Sequence, residues 1–343
     1  MNQIYQKMKE KIKKNQFLFI VFITIRAYGV YFFNRVSNNQ LEKIKFYKHL
    51  GYPLNLKNPK SFNEKIIWKK IYDRNPLLPV TADKYQVRFF IKEVLGEKRA
   101  EEILIPLLYV TNKPETIPFE TLPSAFIVKV NHASGRNIIV ENGNYNQDEI
   151  IKNCKRWLKT PYGLEKMEWM YQPIKRKIII EKLLRENDGK IPKRYNFQMF
   201  HGKCKLVHAI IVNKKNNTSV TSFDEKWNFS SVKITNYAQE PKIKKPENYK
   251  IMLELAEELS KPFDFVRIDL YNINGKIYFG ELTHYPASGT GKYEPQSFDF
   301  ELGKNWKIKP KYWKNKSKIS PINKLFRSRT AERKVSDLIL LLL

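Results

Sequence analysis

Asp269, Glu281 and Arg267 lie in a stretch, residues 265–283, that reads as two short strands around a tight turn. Asn-Gly between two alternating apolar runs is the strongest short-range signal for a hairpin. Whether the acids meet depends on the turn. A two-residue Asn274-Gly275 loop pairs Ile273 with Lys276 and puts the two acids on opposite faces. A three-residue loop, Ile273-Asn274-Gly275, with Gly275 left-handed in a bulge, pairs Asn272 with Lys276. Arg267 then faces Glu281 with Asp269 diagonal to it, and Ile268, Leu270, Tyr278 and Leu282 take the other face. That apolar face suits a core, so the pattern favours the three-residue loop. Two carboxylates and a guanidinium on one sheet face make a Mg²⁺ and phosphate site, because hard cations take oxygen ligands and bridge phosphates. A surface salt-bridge ladder is the competing reading, and the hairpin alone weighs them equally.

A second element is the strand–turn–strand at 126–140. Lys129 interrupts its apolar first strand, where an ammonium is costly unless it meets an anion. The turn Ala133-Ser134-Gly135 offers backbone N–H groups of the kind that cradle phosphate. It is not a Walker loop, since no Gly-Lys-Ser/Thr enters a helix. Alone, a surface hairpin with a lysine explains it as well. The two cysteines, Cys154 and Cys204, have no neighbour at metal spacing and read as buried apolar residues of a reducing compartment. His132, beside the turn, and His284, after the second acid, are each either a substrate contact or a solvated turn residue. His49, His201 and His208 have no partner in the sequence and receive no chemistry.

The elements that must hold these groups follow from periodicity. Ser61 and Glu64 form a capping box for a helix with Ile66, Ile67, Trp68 and Ile71 on its apolar face. A second helix is expected over 83–95, ended by Gly96. Strands are expected at 103–110, 125–131 and 137–140, a helix at 148–159 before Pro161, and a strand at 177–184. A hairpin, 195–201 with 204–213, turns at Gly202-Lys203, and Pro246 opens a helix to about residue 260. The mixture predicts an α+β protein with more than one sheet.

The 343 residues carry 63 Lys+Arg against 34 Asp+Glu, a formal net charge of +29, with 42% hydrophobic residues. Such a charge favours an anionic polymer, a membrane surface or nucleic acid. No nucleic-acid-binding module is visible, so that class is set aside. The basic residues crowd 7–14 and 304–334, where only Glu332 interrupts them, which suits attachment at the ends. Residues 17–33 are apolar and aromatic, but Arg26 falls inside the only window approaching the about 20 residues of a spanning helix. The segment reads as a helix lying in the membrane interface, with 7–14 on anionic headgroups, against the alternative of a helix packed on the protein's own core. The apolar 338–343 could join either arrangement.

Taken in order, Asp83-Lys84, Lys129 with its Ser-Gly turn, Ile178-Ile-Ile-Glu-Lys-Leu183, Arg267-x-Asp269 and Glu281-x-Thr283 resemble the ATP-grasp enzymes. Asn58-Pro-Lys-Ser-Phe-Asn-Glu-Lys65, Ala82-Asp-Lys-Tyr85, Asn131-His-Ala-Ser-Gly135 and Phe279-Gly-Glu-Leu-Thr283 resemble its TupA-like branch, whose members typically belong to surface-polysaccharide gene sets. The resemblance runs from about Leu54 to about Gly303. It implies an ATP-grasp fold, two α+β subdomains clamping ATP, with a helical N-terminal extension. The chain then divides into a basic and apolar segment 1–50, an ATP-grasp region 51–303 and a basic tail 304–343. The resemblance further implies that Lys84 and Lys129 hold ATP phosphates beneath the loop Ala133, Ser134, Gly135 and Arg136. The backbone of Glu181, Lys182 and Leu183 would read adenine, with Glu186 or Asp188 on the ribose. Asp269 and Glu281 would bind Mg²⁺, with Thr283 where the family usually has an Asn ligand, and Arg267 would meet the transferring phosphoryl group. The branch also tends to carry Asp-Tyr-Lys-Phe where this chain has Arg194-Tyr-Asn-Phe197, which puts substrate choice in doubt.

The implied reaction is ATP-dependent joining of a carboxylate to an amine through an acyl phosphate. The substrates would be a sugar acid and an amino acid of a surface polysaccharide or its lipid-linked precursor, at the cytoplasmic face of the membrane. A glycosyltransferase is the rival, but its usual Asp-x-Asp metal motif is absent from the sequence. A non-enzymatic protein that binds an anionic polymer would leave Lys129, Asp269 and Glu281 unexplained.

Overall fold

The structure, a computed structural model, describes residues 15–212 and 217–308. The basic stretch 7–14, nearly all of the basic tail and residues 338–343 therefore lie outside the described residues. Chain order is α1 (Gln16–Val36), α2 (Gln40–Leu50), α3 (Phe62–Tyr72), α4 (Leu77–Ala82), α5 (Val87–Leu95), α6 (Glu97–Ile103), β1 (Leu107–Thr111), β2 (Phe126–Val130), β3 (Asn137–Val140), α7 (Gln147–Lys159) and β4 (Ile178–Lys182). There follow β5 (Arg194–Phe200), β6 (Lys203–Val212), β7 (Thr218–Phe223), β8 (Phe229–Ser230), β9 (Lys233–Ile234), α8 (Tyr249–Ser260), β10 (Phe265–Ile273), β11 (Lys276–Thr283), β12 (Tyr293–Glu294) and α9 (Ser297–Lys304).

Two antiparallel sheets carry the molecule. One has the order β1-β4-β2-β3 and the other β11-β10-β5-β6-β7-β8. Strand alternation gives each sheet a buried face. In the smaller sheet Phe126, Val128, Val130, Ile178 and Ile180 pack with Ile150 and Cys154 of α7. In the larger one, Phe197, Met199, Ile268 and Leu270 meet Met252 and Leu259 of α8 and Ile91 of α5. Each such side chain contributes about 1.5–3 kcal/mol on burial. Both cysteines are buried and free, as their isolation in the sequence predicts.

The hairpin corrects the expected turn. Ile273 pairs with Lys276, so the loop is the two-residue Asn274-Gly275, with φ of 51° and 82°. Those are the paired left-handed conformations of the favoured hairpin turn. The acids still meet, because the register slips farther up. Asp269 faces Glu281 while Leu270 faces Phe279, leaving Gly280 as the extra residue of a bulge. A Cβ at Gly280 would stand 3.0 Å from the Asp269 carbonyl oxygen and 3.1 Å from the Tyr271 ring, so glycine suits this position. One consequence is that Ile277 and Phe279 enter the core, not Tyr278, which pairs with Tyr271 on the opposite face. Arg267 accordingly lies opposite Thr283.

The helix expected over 83–95 starts late, at Val87. Asp83 Oδ1 accepts from the backbone N–H of Tyr85 at 2.8 Å and of Gln86 at 3.3 Å, and this turn separates α4 from α5. Lys84 is thereby set in a turn, off any helix surface. The strand expected from residue 103 starts at Leu107, because 97–103 form α6. The helix expected from Pro246 starts at Tyr249. The capping box of α3 forms as predicted, with Glu64 N–H donating to Ser61 Oγ at 3.1 Å and Ser61 N–H to Glu64 Oε2 at 3.0 Å.

α1 is capped by Asn15 and rests on the rest of the fold through Ala27, Val30 and Asn34, with Arg26 3.6 Å from Glu165. Phe17, Ile25 and Phe32 are each more than 60% exposed on its other side. Residues 17–36 have a mean hydropathy of 1.7, long and apolar enough to cross a membrane by length and composition. At the other end, Trp306 is buried among Phe62, Phe200 and Phe265.

Candidate active site

Arg267 and Asp269 project from β10, Glu281 and Thr283 from β11, all on the face opposite the α8 core. Arg267 donates from Nε to Asp269 Oδ1 at 2.6 Å and from Nη2 to Asp269 Oδ2 at 2.7 Å, a two-pronged pair. The same Nη2 reaches Glu281 Oε1 at 3.2 Å and Thr283 Oγ1 at 3.0 Å, and Thr283 donates to Glu281 at 3.1 Å. Arg194 Nε lies 4.0 Å from Asp269 Oδ2, so the cation of the departing Arg194-Tyr-Asn-Phe197 motif faces the acid pair.

The two acids differ in their tendency to ionise. Burial, the largest influence on Asp269, raises its carboxyl above the ordinary value against the pull of Arg267. Burial opposes ionisation of Glu281 too, but Lys84, Arg267 and Arg194 together outweigh it and hold that carboxyl low. Neighbouring carboxylates pushed apart in this way are a mark of functional sites. Among the described residues no three His, Cys, Asp or Glu side chains group as metal ligands. Two carboxylates beside a hydroxyl do fit Mg²⁺, which commonly takes one or two carboxylates and completes its shell with water and substrate phosphate.

Two lysines converge on the site, Lys129 from β2 of the smaller sheet and Lys84 from the turn before α5. Lys129 Nζ donates to Glu181 Oε2 at 2.8 Å across β2 and β4, and Arg88 approaches Glu181 Oε1 at 3.6 Å. Burial works against the Lys129 charge, but Glu181 more than restores it and raises its pKa. Lys84 donates to the Ala133 carbonyl at 2.7 Å, and burial lowers its pKa. A cavity of about 260 Å³ is lined by Lys84, Lys129, Glu181, Ser134, Asp269 and Glu281 among others. A second, of about 550 Å³, shares Lys84, Ser134, Gly280 and Glu281 with it and continues past Arg267 and Thr283.

The remaining expected residues divide. Ala133 is buried, whereas Ser134 and Gly135 are exposed in the turn, Gly135 at φ 72°. Arg136 reaches away from the turn, donating to the carbonyls of Trp157, Thr160 and Pro161 at 3.1–3.2 Å. Lys182 spends its backbone N–H on Pro106, and neither Lys182 nor Leu183 lines these two cavities. Glu186 and Asp188 do not line them either, and Asp188 pairs with Lys190. His132 and His284 are both buried, not solvated, and burial holds each imidazole down to about 3. His284 shares a hydrogen bond of 2.7 Å with Thr81.

Sequence reasoning flagged Arg194 and Asn196 as departures bearing on substrate choice but missed that, with Gln198, they make one polar face of β5. Arg194, Asn196 and Gln198 alternate with Tyr195, Phe197 and Met199, and so stand beside Tyr271, Asp269 and Arg267 respectively. Polar residues at every second position of an otherwise apolar strand were the available signal.

The family model described as TupA-like ATPgrasp matches residues 64–307. No curated protein matches the sequence. Solved structures similar to it include a D-alanine–D-alanine ligase from Bacillus anthracis, at 18% identity and a TM-score of 0.36, covering 60% of this chain and 57% of that one. The D-alanine–D-alanine ligase from Helicobacter pylori gives 14% and 0.41, covering 72% and 68%. The N5-carboxyaminoimidazole ribonucleotide synthetase from Thermus thermophilus gives 9% and 0.37, covering 62% and 48%. The chain thus spans a little over half of the first of these relatives.

Proposed function

This chain belongs to the TupA-like ATP-grasp family, and from that membership and the site's geometry we propose that it is an ATP-dependent carboxylate–amine ligase. The observation that carries the reading is the sheet face on which Asp269, Glu281, Thr283 and Arg267 meet Lys129 of the smaller sheet and Lys84 of the turn before α5 around shared cavities. Asp269 and Glu281, with Thr283 beside them, would hold Mg²⁺, which when bound neutralises phosphate charge and draws electron density from the γ-phosphorus. Lys84 and Lys129 bind phosphate oxygens under the Ala133–Arg136 loop, with 181–183 at the adenine end. Arg267 steadies charge on the transferring group.

The chemistry then needs no covalent enzyme intermediate. A carboxylate oxygen of the acid substrate attacks the γ-phosphorus, the bond to the β–γ bridging oxygen breaks, and ADP departs. The amine attacks the carbonyl carbon of the acyl phosphate, the C–O bond to phosphate breaks, and the nitrogen gives up a proton. The product is an amide and inorganic phosphate. In keeping with the surface-polysaccharide gene sets to which the branch typically belongs, the acid and amine belong to a sugar acid and an amino acid of a surface polysaccharide. The exposed aromatic side of α1 would keep the enzyme at the cytoplasmic face of the membrane, near a lipid-linked precursor.

Full-length protein incubated with Mg²⁺, ATP and pairs of sugar acids with amino acids should release ADP only when both partners are present. Release that ignores both partners sinks the ligase reading. Deleting residues 1–40 should abolish sedimentation with anionic liposomes. Continued sedimentation would place the anchor elsewhere.

A further inference from the structure

A third cavity, of about 210 Å³, lies behind Arg267 on the polar face of the larger sheet. Its wall is built from neighbouring strand positions: Asn196 faces Asp269 on β10 and His208 on β6, and Gln198 faces Arg267. Asn196, Gln198 and His208 are each at most 3% exposed. Yet Asn196 Oδ1, Gln198 Oε1, His208 Nε2 and Arg194 Nε have no hydrogen-bond partner. Buried polar atoms are nearly always paired, so four orphans lining one cavity need an explanation. A ligand that supplies the missing bonds is one.

The lining states what that ligand is. Arg194 and Arg267 give one end positive charge, and Arg194 also lines the phosphate cavity, so an anion there lies beside Asp269. Beyond them the polar groups are uncharged amides and an imidazole. His208 is neutral near pH 7, since burial, with Arg267 nearby, holds it at about 3. Its Nδ1 lies 3.2 Å from Ser222 Oγ, leaving Nε2 for the cavity. Phe62, Tyr237 and Tyr293 add flat apolar surface of the kind that packs on a ring. No aspartate or glutamate lines this cavity, whereas the larger one on the far side of Arg267 is lined by Glu42, Glu165, Glu168 and Glu281 together with Lys45, Lys70, Lys84 and Lys166. An ammonium group would therefore find no carboxylate in the lining of the first.

We propose that this cavity is the seat of the acid substrate and selects a hydroxyl-rich sugar acid over an amino acid. Its carboxylate lies between Arg194 and Arg267, and its hydroxyls pair with Asn196, Gln198 and His208. That the ligand is the acid substrate rests on the ligase reading above. Its chemical class rests on the cavity.

The test separates the two. Full-length protein with Mg²⁺ and a non-hydrolysable ATP analogue is titrated calorimetrically with glucuronic or galacturonic acid, and with alanine or glutamate. The uronic acids should bind at least tenfold more tightly. Asn196→Leu and Gln198→Leu should each cut that affinity at least tenfold while the melting temperature holds or rises, because an unpaired buried polar atom is being removed. A merely structural role would lower the melting temperature and leave the preference untouched. Amino acids binding as well as uronic acids, or variants that keep full uronic-acid affinity, would overturn the proposal. With ATP and hydroxylamine as the trap, uronic acids should yield hydroxamate. Binding without hydroxamate keeps the cavity's ligand class and removes the ligase reading. Hydroxamate from amino acids alone keeps the ligase reading and removes this one.

Discussion

Two ends of one sheet face behave differently. Around Asp269 the polar groups are saturated, since Arg267 grips both carboxylate oxygens and also reaches Glu281 and Thr283. One and two strands away, Asn196 and Gln198 on β5 and His208 on β6 each leave a buried polar atom with nothing to bond. The saturated end resists disturbance, because a ligand there must displace an ion pair already made. The unsaturated end gains a bond with every group a ligand offers. A site for charged phosphate and metal can tolerate the first arrangement, since its ligands bring charge strong enough to compete. Discrimination between uncharged groups depends on the second.

The largest effect should come from the saturated end. Asp269→Asn and Glu281→Gln are each expected to lower ATP turnover about 100-fold or more, as loss of a single charge-stabilising group typically does, with the circular dichroism spectrum unchanged. Turnover within a few-fold of the parent in both would dissolve the contrast between the two ends. Next comes Lys129→Ala, which removes a charge-assisted contact worth about 1.5–3 kcal/mol. Calorimetry should show nucleotide affinity falling about 10- to 100-fold, against no change for Lys205→Ala, a lysine exposed on β6. Equal affinities would mean that Lys129 serves only to neutralise Glu181.

A smaller effect sharpens the unsaturated end. His208 is held down to about 3, chiefly by burial, from an ordinary value near 6.5. Below that ordinary value the unfolded chain takes up a proton that the folded chain refuses, so stability falls as pH drops from about 6.5 toward 3. The melting temperature should decline over this window, and less steeply in His208→Gln. Identical slopes in both proteins would show that His208 ionises freely in the fold.

Local patterns made part of this molecule readable in advance. The Ser61–Glu64 capping box, the buried cysteines, the Asn-Gly hairpin and the strand holding Lys129 all follow from neighbours within a few residues. What escaped depends on partners distant in the chain. The slip at Gly280 shows only once β11 lies against β10, and a shifted turn explains the same apolar pattern equally well. The break before α5 hinges on the Asp83 side chain folding back on its own backbone. The polar face of β5 acquires meaning only when β10 brings Arg267 and Asp269 alongside it.

Gly280 gives the hairpin its parity. Between the turn and the bulge, odd-numbered residues of β11 point to the core; beyond it, Glu281 and Thr283 point to the cavities and Leu282 to the core. Pairing this one glycine opposite Asp269, while the turn holds its pairing, would turn the acid and the threonine inward and bring Leu282 out opposite Arg267. Two lineages could thus differ by a single codon here, one carrying the bulged glycine and one an unbroken ladder, and both would keep Glu281 opposite Asp269.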